Sequence, residues 1–216
     1  MSIWSDAGQP KAAEVLRAAA AEAAAPSGSS LMTHAWLLTG PAGSGRSTLA
    51  FAFAAALVSG SPDPDPETHA LVTAGTHPDV HVLTTEGVII KIADVREVVK
   101  RAHFAPSLGR YRVIVVEDAD RMTEHTSNVL LKELEEPLES TVWVLCAPSE
   151  AVLLPTIRSR VRSVRLGIPT IETVAALLSE RSGVDPALAE QAARLAQSHV
   201  GMAARLASSE QARERR

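Results

Sequence analysis

The stretch Gly40-Pro41-Ala42-Gly43-Ser44-Gly45-Arg46-Ser47-Thr48 constrains this chain more than any other. It follows an apolar run, His34-Ala35-Trp36-Leu37-Leu38, that reads as a short strand, and it opens an Ala- and Phe-rich run to Val58 that reads as a helix. Strand, glycine turn and helix in that order build a phosphate-binding loop of the form G-x-x-x-x-G-K-[ST]. The glycines let backbone N–H groups turn inward around an anion, and the helix adds its N-terminal dipole. Gly40, Pro41, Gly43, Gly45, Arg46, Ser47 and Thr48 are therefore candidate nucleotide-binding residues, the Ser47 hydroxyl being placed to ligate Mg²⁺ beside ATP. Arg46 stands where the motif has Lys. A forked guanidinium replaces a compact point charge, which argues against efficient phosphoryl transfer. The competing reading is a Gly-rich strand-to-helix turn that holds no ligand.

Other segments alternate in the same way. Residues 80–83, 111–116 and 142–146 read as strands, and 11–25, 92–103 and 126–135 as helices. Alternation of this kind predicts an α/β fold with a parallel sheet between helices. Residues 26–30 read as a loop, and the Pro-Asp repeats of 59–67 as extended, solvated chain. Beyond Arg165 the strand signals stop. Residues 169–178 and 186–207 are amphipathic and rich in Ala and Leu, which predicts a small all-α domain. The expected division is an α/β domain over 1–165, a helical lid over 166–208 and a frayed polar tail over 209–216.

Arg112-Val113-Ile114-Val115-Val116-Glu117-Asp118 is similar to the Walker B strand of ATPases, which ends in an acidic pair. There an Asp holds Mg²⁺ and the next residue, a Glu, orients the attacking water. Here Glu117 and Asp118 are reversed, and a misplacement near 1 Å costs about a hundredfold in rate. The plainer alternative has both acids capping the next helix. With Arg46, this is the second departure pointing toward weak or absent hydrolysis.

Composition excludes several classes. The net charge of −4 lacks the basic excess of a dedicated duplex-DNA binder. No apolar run approaches the roughly 20 residues needed to cross a bilayer, and Met1 to Asp6 lacks the pattern of a signal peptide. Cys146 is the single cysteine, so an internal disulfide and an all-cysteine metal site are excluded. The expected compartment is the cytoplasm. His69, His77 and His81 with Asp63 fit no standard zinc spacing, so no metal site is expected, and His77 reads as a structural hydrogen-bonding residue.

Several blocks, in order, carry a resemblance: Thr33-His34-Ala35-Trp36-Leu37, Gly75-Thr76-His77-Pro78-Asp79, Ser127-Asn128-Val129-Leu130-Leu131-Lys132-Glu133-Leu134-Glu135-Glu136-Pro137 and Leu154-Pro155-Thr156-Ile157-Arg158-Ser159-Arg160. Together they resemble the bacterial clamp-loader family of AAA+ proteins, within which the altered phosphate loop favours the delta-prime branch over the ATP-hydrolysing gamma/tau branch of DNA polymerase III. The resemblance implies a subunit that helps load the sliding clamp onto primed DNA alongside gamma/tau and delta-type subunits. It also implies that Arg160, at the family's S-R-C position, acts in trans as an arginine finger on a neighbour's ATP, and that Arg205 senses nucleotide from the lid. The plain alternatives are that Arg160 is one of several surface arginines and Arg205 an exposed helical one. The sequence departs from the family by lacking its four zinc cysteines, by reading Val161 for Cys, and by reaching Arg216 without a collar domain. The latter implies a fragment or a shortened relative. An autonomous AAA+ ATPase is the alternative function, and a small-molecule P-loop kinase a third, for which no acceptor site is visible.

Overall fold

The computed structural model describes residues 3–25 and 32–214, with side chains described to Ser209. A 3-10 turn at Ser5–Ala7 leads into α1 (Pro10–Ala24), where Pro10 opens the helix without forfeiting a hydrogen bond. Then follow β1 (Ala35–Thr39), α2 (Arg46–Ser59), α3 (Pro66–Thr73), β2 (Val80–Leu83), α4 (Ile92–Ala102), β3 (Arg112–Val116), α5 (Glu124–Glu135), β4 (Thr141–Ala147), α6 (Pro155–Arg158) and β5 (Arg162–Arg165). The strands form one parallel sheet in the order β2-β3-β4-β1-β5.

Alternation of side chains along each strand divides the core in two. Trp36, Leu38, Val113, Val115, Val144 and Cys146 pack beneath α1 and α2, where Trp36 meets Phe53 edge-on with ring centroids 5.2 Å apart. Ala35, Leu37, Ile114, Val116, Trp143 and Leu145 pack beneath α4 and α5. Because both faces are covered, β1, β3 and β4 are apolar at nearly every position rather than at every second one.

After β5 the chain forms α7 (Ile171–Ser182), α8 (Pro186–Leu195) and α9 (Val200–Glu214). This lid has its own apolar cluster, built on Val174, Leu178, Leu188, Ala192, Ala203 and Ala207. Thr170 and Asp185 cap α7 and α8 with side-chain oxygens.

The elements differ from expectation in four places. The stretch expected to be extended ends in α3, because the Asp65 carboxylate accepts from Thr68 N–H at 2.8 Å and Pro66 supplies a preset first turn. Residues 162–165, which carry no strong apolar signal, form the edge strand β5 along β1. The amphipathic run 186–207 is two helices, broken where Gln197 and Ser198 take positive φ. Helix α9 continues through residues expected to fray, with Ser208 and Ser209 hydroxyls donating back to Ala204 and Leu206 carbonyls. The loop expected at 26–30 lies outside the described residues.

Candidate nucleotide site and arginine-bearing edge

The phosphate loop leaves the end of β1, with Gly40 N–H still bonded to Ala147 O at the end of neighbouring β4. Gly43 and Gly45 have φ of 79° and 89°, a left-handed backbone that only glycine adopts cheaply. Gly45 is the N-cap of α2, and Leu49 N–H makes the helix's bond back to its carbonyl. The N–H groups of Arg46, Ser47 and Thr48 therefore have no partner within the helix, and the loop is built to receive an anion. Among the described residues, the side-chain atoms buried without a hydrogen-bond partner are Ser44 Oγ and Arg46 Nη1, both in this loop.

The approaches to the loop are crowded. A Cβ on Gly45 would lie 2.8 Å from Ala7 Cβ, one on Gly40 would lie 2.9 Å from Leu166 O, and one on Gly43 would run into the His199 ring. Gln9 stitches the loop to the lid hinge, donating to Ser44 O at 3.0 Å and Gly167 O at 2.7 Å while accepting from Gly167 N–H. The donors of a nucleotide site are thus present, but the lid and the N-terminal turn occupy the space around them.

Glu117 and Asp118 lie at the end of β3, two strands from β1 with β4 between. Asp118 stands at the N-cap of a 3-10 turn yet makes no side-chain cap bond, so capping does not account for it. Its carboxylate lies 3.9 Å from Arg121. On β4, Cys146 is buried opposite Leu38, and burial pushes its thiol up to about 12, with Arg46 acting against the shift and Glu117 and Asp118 adding to it. Arg46 at the start of α2 and the acidic pair after β3 thus act electrostatically, and with opposite sign, on one buried thiol.

Arg160 lies elsewhere, just beyond α6. Its Nη1 donates to Thr156 O at 2.8 Å and Ser159 Oγ at 3.1 Å, and its Nη2 pairs with Glu135 at 2.8 Å; the side chain is 35% exposed. Glu135 ends α5, which His34 Nε2 holds by donating to Leu134 O at 3.0 Å. Arg205 is exposed on α9. It lies six residues beyond His199, the lid residue that meets the loop. His199, Gln9, Ala7 and Leu166 are loop-contacting residues that sequence reasoning missed, and none carries a local motif. Among the described residues, no group of three or more His, Cys, Asp and Glu side chains is placed to hold a metal ion.

A parallel sheet with a phosphate loop after its first strand, an acidic pair after the third, and a three-helix lid over the loop define an AAA+ protein. A family model described as "DNA polymerase III, delta subunit" matches residues 9–170, and the chain belongs to that family. It is 38% identical over 134 residues to the DNA polymerase III subunit delta' of Pseudomonas aeruginosa, covering 59% of this chain and 41% of that one. It is also 38% identical over 96 residues to the gamma/tau subunit of Mycobacterium tuberculosis, covering 43% of this chain and 17% of that one. The chain thus spans well under half the length of these relatives. Among solved structures, a gamma subunit-related protein of Thermotoga maritima superposes with a TM-score of 0.55 at 25% identity, covering 73% of this chain and 52% of that one. The Holliday junction branch migration motor RuvB of the same organism does so with 0.55 at 18%, covering 81% and 53%, a likeness of fold.

Proposed function

We propose that this chain is a non-hydrolysing clamp-loader subunit of the bacterial replicative polymerase, acting with gamma/tau and delta-type subunits to load the sliding clamp onto primed DNA. The observation that carries this reading is the contrast between its two charged sites. The phosphate loop holds Arg46 instead of Lys, the acidic pair after β3 is reversed, and the loop is hemmed in by Ala7 and His199. Arg160, by contrast, is held at the surface by Glu135 and two acceptors near its own backbone. A guanidinium so presented can stabilise the charge developing on a phosphoryl group bound by a neighbour. Such a contact supplies about 10³–10⁵ in rate where it operates.

The test is to reconstitute the full-length protein with gamma/tau and delta-type partners and measure DNA-stimulated ATP turnover. With Arg160→Ala, stimulation by this subunit should fall by at least tenfold, while assembly measured by gel filtration stays intact. Stimulation equal to the parent's would sink the finger assignment. A second reading, an autonomous ATPase, is favoured by the buried and unsatisfied Arg46 Nη1 and Ser44 Oγ, which mark a loop short of a ligand. Mg²⁺-dependent turnover by the purified protein, lost in Ser47→Ala, would select it.

A further inference from the structure

Between α8 and α9 the chain makes a short turn, Ala196-Gln197-Ser198-His199, with no glycine or proline. Gln197 and Ser198 have φ of 49° and 63°, left-handed conformations that L side chains disfavour and that persist only where the surroundings fix them. What the turn achieves is to carry His199 onto Gly43. The imidazole fills the space that any side chain at position 43 would need, so the missing Cβ of Gly43 serves the seating of this ring as well as the turn of the loop. The ring is also fixed from behind, since His199 Nδ1 accepts from Met202 N–H at 3.3 Å in the first turn of α9. Beside it opens a cavity of about 440 Å³ between loop residues Ala42–Ser44 and lid residues Leu195 and Met202. Ser44 Oγ, buried and unsatisfied, belongs to the same wall.

We propose that His199 is a lid-borne latch on the phosphate loop: seated on Gly43 it closes the loop to nucleotide, and nucleotide enters only when the α8–α9 turn carries the ring away. The proposal deepens the reading of this loop as inactive and rests on it. Arg46 and the reversed acids bear on chemistry once a nucleotide is bound, whereas the latch bears on access. The two therefore separate experimentally. A phosphate and the ring compete for the lid-facing side of a loop that has room for one of them. The ring's seat is an intramolecular contact at high effective concentration, so removing it should be felt directly as nucleotide affinity.

The experiment titrates Mg²⁺-ATP calorimetrically into the full-length protein carrying Arg46→Lys, which restores the ordinary phosphate-binding cation, with and without His199→Ala. The double variant should bind at least tenfold more tightly than Arg46→Lys alone. His199→Phe in the same background, which retains a ring of similar breadth, should bind like Arg46→Lys. Without nucleotide, hydrogen exchange at the amides of residues 42–45 should accelerate at least tenfold in His199→Ala, with β3 and β4 amides unchanged. Both readouts are required. Equal affinity of the double and single variants, silence of both in the titration, or unchanged exchange at the loop would each overturn the latch. The scaffold reading would survive that failure, because it fails separately, through Arg160→Ala in the reconstituted complex.

Discussion

Asp79 is wholly buried and keeps its charge because donors surround it. Its carboxylate accepts from the N–H groups of Ser107 at 2.5 Å, Leu108 at 2.7 Å and Gly109 at 3.1 Å, and pairs with Arg112 Nη2 at 3.3 Å. Arg112 in turn donates to Phe104 O, Ala105 O and His81 Nε2, so these two side chains tie down five residues of the connection from α4 to β3. Burial alone would push the Asp79 carboxyl up, but the three N–H groups and Arg112 outweigh it and hold it below the ordinary carboxylate range. His77 accepts from Asp79 N–H at 3.2 Å, and burial lowers its proton affinity, so its role is the structural one its sequence position implies. Asp79→Asn keeps the shape but strands the Arg112 charge, and breaking a buried pair this way costs about 3–5 kcal/mol. Urea unfolding should report that loss at pH 7. A depressed carboxyl contributes stability above its unfolded value of 3.8 and loses it as pH falls through the lower folded value. The difference between parent and variant should therefore shrink as pH drops below about 3.8. A constant difference down to pH 2 would mean that the charge is not what matters at this position.

Elements were legible where periodicity and punctuation agreed. β1, β3, β4, α4 and α5 lie within two residues of where apolar runs and helical spacing put them. The phosphate loop was legible because its glycines sit between a strand and a helix, and Glu117-Asp118 because they end the most β-branched run. Three signals failed, each for a physical reason. The alternating Pro and Asp of 62–66 read as solvated chain, yet the last Asp-Pro pair is also a cap followed by a first-turn proline. β5 is mostly polar or charged because it is an edge strand, with Arg162 lying over the Trp36 ring at 5.1 Å. The α8–α9 break is invisible because Gln197 and Ser198 are not residues that announce a left-handed turn, and with it went the placement of His199. That break carries a prediction of its own. Gln197 is exposed, and a left-handed non-glycine residue costs about 1 kcal/mol or more. Gln197→Gly should therefore raise stability by roughly 0.5–1 kcal/mol despite the added unfolded-state entropy, read as a higher Tm. A lower Tm would show that the turn is not strained.

For the molecule as a whole, the question is what makes two cores behave as one body. Among the described residues, the apolar cluster of the lid contains no sheet residue, and the clusters of the sheet contain no residue of α7, α8 or α9. The coupling is instead a seam running through the N-terminal turn. Gly8 is pressed so closely between Pro169, Thr173 and Leu177 that a Cβ there would lie 3.1 Å from Thr173. Asp6 lies 3.7 Å from Arg181 on α7, and Gln9 bonds both the loop at Ser44 and the hinge at Gly167. On the proposed reading, in which Arg160 acts on a neighbour's nucleotide, that seam needs to be stiff, since a misplacement near 1 Å costs about a hundredfold. Gln9 bonds both loop and hinge, reaching Gly167 across 158 positions of sequence, and it lies outside the apolar cores. Gln9→Ala should accordingly leave β3 and β4 amide protection unchanged while hydrogen exchange at 166–171 rises several-fold. In the reconstituted complex, stimulation of the partner's ATPase should fall part of the way toward the Arg160→Ala value. Faster exchange with full stimulation would mean that Arg160 is positioned by α5 and α6 alone; unchanged exchange would mean that packing against Gly8, rather than the Gln9 hydrogen bonds, holds the lid.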